Sequence, residues 1–462
     1  MAEFKETEMK LDVGQVIDGG GWTPYQKLLV AGTALTIIVD GVDNQLLGNV
    51  IPSLMEEWTL PRGAFSTALA MSPLGMLIGG AVGGLLGDRI GRRTALLLSV
   101  FAFAMMTALT STASNVTMLG ALRFLAGLGL GGAMPNAAAL ASEYVPRRQR
   151  PLAVTLTIVC IPLGGMLAAF AAARVIPAFG WHALFLGGGL IPLVLAAILV
   201  FVLPESPRYL AGRPRRWPEL IALLKRFGHP VPRETTFVHA ATGQSGKPQL
   251  HLRALFSADL RRDTLALFGS FFFCLLANYL VFLLLVPTLT GARFSKSAAN
   301  DLLGWWNIGG VGGALLGALF IQRFGSKATM LGLTLVTIAG AASLAAKPLD
   351  PENTRNLLLM CIVTAAALNG VQTAMYALAA HVYPTSIRGT GLGTSVAVGR
   401  IGNILAPYVG NLSLDHGGAQ SYFLTIALAS MAVFLALVMV RNHIPRSVKE
   451  PGVPVLAAPA EE

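Results

Sequence analysis

Residues 25–54 read YQKLLVAGTALTIIVDGVDNQLLGNVIPSL. As a helix rising ~1.5 Å per residue, this stretch crosses a ~30 Å hydrocarbon layer with length to spare. Only Lys27, Asp40 and Asp43 carry charge, and the two acids fall halfway along. A charge at the centre of a bilayer costs at least ~2.5 kcal/mol, so it belongs against a protein interior or a water-filled cavity. A spacing of three predicts that both acids share one helix face. That face is the first candidate for ion or substrate handling.

The rest of the chain extends the pattern. Of its 462 residues 54% are hydrophobic and only 12% charged, with a mean hydropathy of +0.64, whereas a soluble protein carries about 25% charged residues. Apolar runs of membrane-spanning length centre on residues 25–54, 62–86, 94–112, 116–142, 151–175, 182–203, 264–290, 298–322, 328–346, 355–382, 389–414 and 420–440. One long polar interval, 204–262, separates six spans from six. The expectation is an all-α membrane protein with twelve transmembrane helices in two pseudo-symmetric six-helix bundles. Its parts are an N-terminal tail 1–24, a bundle 25–203, an interdomain loop 204–262, a second bundle 263–440 and a C-terminal tail 441–462.

Positive charge sets the expected orientation. With both termini cytoplasmic, the outer segments hold only Arg62, Arg174, Arg293, Lys296, Lys347 and Arg355. Arg123 and Arg400 lie within spans, and the remainder of the 34 Lys and Arg are cytoplasmic, as the positive-inside rule requires. The net charge of +11 is thereby assigned to topology and anionic lipid headgroups, not to nucleic acid. Cys160, Cys274 and Cys361 lie within spans at spacings that match no metal site. No metal, cofactor or cleavable signal peptide is expected. Seven scattered histidines and three cysteines supply no catalytic set, so an enzyme is not expected either.

The halves repeat. Gly87–Arg93 after the second span aligns with Ile321–Lys327 after the eighth, and Ala139–Glu143 closing the fourth aligns with Ala377–His381 closing the tenth, at offsets of about 235. The motif Gly84-x-x-x-Asp88-Arg89-x-Gly91-Arg92-Arg93 resembles the cytoplasmic loop motif of the major facilitator superfamily, whose architecture is two six-helix repeats with a site between them. Pro204-Glu205-Ser206-Pro207-Arg208 is similar to that superfamily as well. Over nearly the whole chain, Asp40-Gly41-x-Asp43, Arg123–Asn136 and Tyr383-Pro384-Thr385-x-x-Arg388-Gly389-Thr390-Gly391 look like the aromatic acid:proton symporter family. The second-half loop departs from the pattern, with Gln322-Arg323 for the acidic-basic pair and Ser326 for a basic residue. A weaker charge network is expected there.

That resemblance implies proton-driven import of a small aromatic carboxylate, hydroxybenzoate-like, across a bacterial inner membrane. A nicotinate-like or aliphatic acid is the alternative, and a proton-driven exporter stands further off. The expected partners are the acid, protons and membrane lipids, with the protein a monomer. Asp40, Asp43 and Arg123 are candidates for proton coupling: one acid held ionised by Arg123, the other exchanging a proton. A static buried ion pair is the competing reading. Arg400, with Asn403 on the same face, is the candidate carboxylate anchor through two parallel hydrogen bonds; an internal partner for a carbonyl or for Glu143 is its alternative. Asn278, Tyr279, Trp306, Asn307, Asn369 and Gln372 are candidate substrate contacts, joined by depth by Trp305 and Tyr376. Asp88, Arg89, Arg92, Arg93, Glu143, His381 and Arg388 are candidate gating residues at the cytoplasmic helix ends. The glycines from Gly127 to Gly132 and from Gly309 to Gly317 are expected to permit close helix approach.

Overall fold

The computed structural model describes residues 10–232, 235–238, 252–346, 348–351, 354–384 and 387–446. Lys347, Thr385 and the outer parts of both tails and of the interdomain loop lie outside them. Helix α1 is Pro24–Glu57, α2 Ser66–Ile90, α3 Arg92–Thr110 and α4 Val116–Glu143. Arg150–Val202 breaks at Gly180 into α5 and α6. The second half repeats the plan with α7 Arg261–Gly291, α8 Lys296–Phe324, α9 Ser326–Ala345 and α10 Thr354–Val382. Arg388–Met439, broken at Gly417 and Gly418, gives α11 and α12. The twelve expected spans are present to within about a helical turn.

Local chemistry fixes where these helices start. Thr23 and Gln26 form a reciprocal capping box ahead of Pro24 at the start of α1, which satisfies two orphan amides and presets φ. Asn115 caps α4 and Ser295 caps α8, their side chains accepting from the amides of Met118 and Ala298. Between their ends, residues such as Phe179, Ile191, Val194, Phe201, Leu319 and Leu428 are exposed. In water that surface would aggregate; here the hydrocarbon of the bilayer is its solvent.

Packing obeys the repeat. Helix α1 packs on α5 and α2 on α4; α7 packs on α11 and α8 on α10. Glycines make these contacts close. A Cβ at Gly79 would overlap the Leu128 carbonyl of α4, and one at Gly313 the Ala366 carbonyl of α10. Such approaches lie inside each half, where they stiffen it, and also between the halves, where a Cβ at Gly48 of α1 would overlap the Phe282 carbonyl of α7. We expect Gly313→Val to cost about 3 kcal/mol through overpacking, visible as lost folded yield and a lower midpoint in thermal unfolding.

The halves meet through α1 with α7, α2 with α11 and α5 with α8. With twelve spans between them, the start of α1 and the end of α12 share one face of the bundle, here the terminal face, opposite a far face. Hydrogen bonds and ion pairs between the halves run from mid-depth to the far face. Arg62 binds Asp415 at 2.7 Å and Asn411 at 2.8 Å, Lys296 binds Glu56 at 2.5 Å, and Arg174 binds Asp301 at 2.9 Å. Toward the terminal face, the hydrogen bonds and ion pairs of the described residues stay within one half.

The interdomain segment also has structure of its own. Strand β1, Lys10–Asp12, pairs in parallel with β2, Thr236–Val238. Short helices Pro207–Ala211 and Trp217–Arg226 bury Leu220, Leu223 and Leu224 against the first half. Asp18 ties the tail to Arg150 at 2.6 Å. The described parts of the tail and loop thus form a plate on the first half.

Candidate functional site

Asp40 and Asp43 divide at mid-depth. Three residues turn a helix through about 300°, leaving the side chains ~60° apart. Asp43 points into the first half, where Arg123 Nη1 donates to both its oxygens at 3.2 Å and the Thr107 hydroxyl donates to Oδ1. Arg123 Nη2 donates to Thr107 at 2.9 Å and Thr110 at 3.1 Å, and Phe185 stacks its ring 5.1 Å from the guanidinium. Arg123 is 1% exposed. This pair is sealed, and the dense hydrogen bonding around it offsets the cost of burying two charges.

Asp40 is equally buried, but its Oδ1 has no hydrogen-bond partner. The charged groups near enough to act on it are Asp43 and Arg400. Arg400 enters from α11 of the other half, half-buried, and Nη1 donates to the Met76 carbonyl of α2. A Cβ at Gly80 would come within 3.3 Å of the same nitrogen, so the absent side chain leaves room for the guanidinium. Around it stand Tyr279, whose hydroxyl donates to Asn44 at 3.2 Å, and Tyr376, beside Gln372 one turn earlier on α10. Asn44, Gln372, Tyr376 and Arg400 are partly exposed, so they line accessible space between the halves.

The other sequence candidates are placed differently. Trp306 is fully buried in the apolar core of the second half, whereas Trp305 is 41% exposed and meets Phe170 of α5 edge-on at 6.1 Å. Adjacent helical positions cannot share a face, and the core took Trp306. Asn278 and Asn369 donate to carbonyls one turn back in their own helices, Cys274 at 3.1 Å and Ala365 at 3.0 Å. Asn403 is buried with its Oδ1 unpaired. Asn307 pairs with Gln45 across the halves. Of the eight candidate contacts, the structure gathers Arg400, Tyr279 and Gln372 in the chamber. Asn44, Thr107, Thr110 and Phe185 were not singled out from sequence; Thr107 and Thr110, three apart at the end of an apolar helix, were the available signal.

At the terminal face Asp88 binds Arg92 at 2.6 Å, and Arg92 reaches the Asn136 amide oxygen of α4 at 3.4 Å. Arg89 is exposed, and its carbonyl accepts from Tyr209 and Arg213. Buried Glu205 accepts from the backbone amide of Arg93 at 2.9 Å and the Thr94 hydroxyl at 3.3 Å. Gly91, at φ 105°, makes room, since a Cβ there would overlap the Glu205 carboxylate. Glu143 accepts from Ser206, while His381 and Arg388 are exposed. In the second half the equivalent corner uses Ser326. Its amide donates to the Ile444 carbonyl at 2.9 Å, and its hydroxyl accepts from the Ile444 amide at 2.8 Å. Burial pushes His443 below its ordinary value, and its Nδ1 shares a hydrogen bond with the Ser326 hydroxyl at 3.2 Å. Among the described residues that corner holds no ion pair, in keeping with the sequence there. Glu205→Ala strips the anion from the N-terminus of α3 and is expected to lower stability by about 1–2 kcal/mol, with Glu205→Gln losing less. Thermal unfolding of the purified variants measures both.

No group of three or more His, Cys, Asp or Glu among the described residues is placed to hold a metal.

Residues 61–450 match the model of the family described as sugar (and other) transporter. The chain is 34% identical to the 4-hydroxybenzoate transporter PcaK of Pseudomonas aeruginosa, over 94% of this chain and 96% of that one. It is also 34% identical to the gallate transporter of Pseudomonas putida, over 92% and 94%. The inward open xylose transporter XylE from E. coli superposes with a TM-score of 0.71 at 18% identity, over 92% of this chain and 98% of that one, which shows a shared fold. By sequence and by architecture, then, this chain belongs to the sugar (and other) transporter family of the major facilitator superfamily, and it is a transporter and not an enzyme.

Proposed function

We propose that the protein is a proton-coupled symporter that imports a small aromatic carboxylate of the hydroxybenzoate kind, with its terminal face toward the cytoplasm of a bacterial cell. One observation carries the reading: Asp43 is neutralised by Arg123, while Asp40 and Arg400, from opposite halves, share the central chamber. Whole-length relatives that transport 4-hydroxybenzoate and gallate support the substrate class.

Charge arithmetic supplies the coupling. With Arg400 cationic and Asp40 ionised, the empty chamber is neutral. With a carboxylate on Arg400 and a proton on Asp40, the loaded chamber is neutral too. The anion without the proton leaves a net charge of −1, and the proton without the anion leaves +1. Moving either charged form through a low-dielectric layer is opposed, so anion and proton travel together. Arg400 also links binding to motion. A guanidinium that turns to grip a carboxylate releases the Met76 carbonyl, loosening α2 from α11. Tyr279, Tyr376, Asn44 and Gln372 supply flat apolar faces with a few polar groups, as an aromatic acid requires.

Uptake of labelled 4-hydroxybenzoate into proteoliposomes under an imposed pH gradient tests the proposal. Accumulation should follow the proton gradient and fall on collapse with a protonophore, and unlabelled benzoates should compete where aliphatic acids do not. Uptake indifferent to the gradient, or blocked equally by aliphatic acids, overturns it. An exporter of cationic drugs is disfavoured by Arg400 in the chamber.

A further inference from the structure

The contacts that close the far face differ in kind. Glu56–Lys296, Arg62–Asp415 and Arg174–Asp301 form an exposed or half-exposed rim, and solvent-exposed ion pairs contribute little. Deeper, between that rim and the chamber, Gln45 of α1 and Asn307 of α8 form a reciprocal amide pair. Gln45 Nε2 donates to Asn307 Oδ1 at 2.9 Å, and Asn307 Nδ2 donates to Gln45 Oε1 at 2.9 Å. Both are at most 2% exposed. The pair bridges the two halves five residues beyond Asp40. Gly165 of α5 gives it room, since a Cβ there would overlap the amides of both residues. On the far side lies a vestibule of about 780 Å³ lined by Ser53, Glu56, Trp181 and Lys296.

We infer that the Gln45–Asn307 amide pair, and not the rim of ion pairs, is the lock that holds the far face shut. Its logic is the asymmetry of buried hydrogen bonds. A satisfied pair adds modestly, but removing one member leaves the other buried with its amide oxygen unpaired, which is costly even though Asn307 Nδ2 keeps the Leu303 carbonyl at 2.9 Å, while replacing both with apolar groups is close to neutral. The penalty exists only while the far face is closed. Once the halves part there, water satisfies either amide. A single apolar substitution therefore pushes the population toward far-open, and the double substitution brings it back.

The test reads conformation without substrate, so its failure is distinct from failure of the transport proposal. In full-length protein with Cys160, Cys274 and Cys361 replaced by alanine, Ala173→Cys places a reporter at a buried far-face position between the halves, where only the backbone carbonyl, accepting from Ser297 of α8 at 2.7 Å, makes the bridging bond. Its alkylation by a hydrophilic maleimide proceeds through the far-open state. Gln45→Leu and Asn307→Leu should each speed labelling about tenfold, equivalent to ~1.4 kcal/mol. The double leucine variant should return to within about twofold of the parent. Exchanging side-chain lengths, Gln45→Asn with Asn307→Gln, should also restore slow labelling, which separates a lost amide pair from a damaged fold. Glu56→Gln should change the rate less than about threefold. Unchanged rates in both single variants, a double variant faster than either, or Glu56→Gln matching the single variants would overturn the inference.

Discussion

Asp40→Asn is expected to abolish gradient-driven accumulation while leaving substrate exchange intact. The amide imitates the protonated acid permanently, so the loaded chamber, with a carboxylate on Arg400, stays neutral and can reorient. The empty chamber instead carries the uncompensated charge of Arg400 and is held back. In proteoliposomes a pH difference of ~1 unit stores ~1.4 kcal/mol per proton and drives about tenfold accumulation in the parent. The variant should equilibrate and stop, yet still load label by counterflow against unlabelled acid. Asp43→Asn should behave differently, because it breaks a sealed pair and leaves Arg123 unneutralised, at about 3–5 kcal/mol. Its defect should appear first as lost thermal stability. Full concentrative uptake by Asp40→Asn would remove that residue from the coupling scheme.

The second large effect is at Arg400. Two charge-assisted hydrogen bonds, each ~1.5–3 kcal/mol, are lost in Arg400→Ala, so the apparent affinity for the acid should fall by about 100-fold or more. Arg400→Lys keeps the charge and loses the planar fork, and about a tenfold loss is expected. Titration of binding to the purified protein, alongside the concentration dependence of counterflow, measures both. If Lys were equivalent to Arg and Ala only a few-fold weaker, Arg400 would be a bolt between α11 and the Met76 carbonyl and not the anchor. The two experiments are complementary. Asp40→Asn should spare binding and lose coupling, whereas Arg400→Ala should lose binding and exchange together.

What the chain determined by itself was everything that depends on composition and period. Twelve apolar runs of bilayer length, a polar interval at 204–262 and an offset of about 235 between matching loops dictate two bundles of six, because lipid admits backbone only as closed helices. The same rule exposed Asp40, Asp43, Arg123 and Arg400, since intramembrane charges are few and must face inward. Period stops at the single helix, however. It placed Asp40 and Asp43 on one face but could not say that ~60° of rotation sends one to Arg123 and the other to the chamber. It could not choose between Trp305 and Trp306, or see that Asn307 meets Gln45, 262 residues away. Nor did it show the tail and interdomain loop pairing as β1 and β2. Those outcomes depend on how each helix is rotated and set against its neighbours. That is decided by side-chain volume and hydrogen-bond satisfaction across contacts far apart in the chain, and only the folded whole contains them.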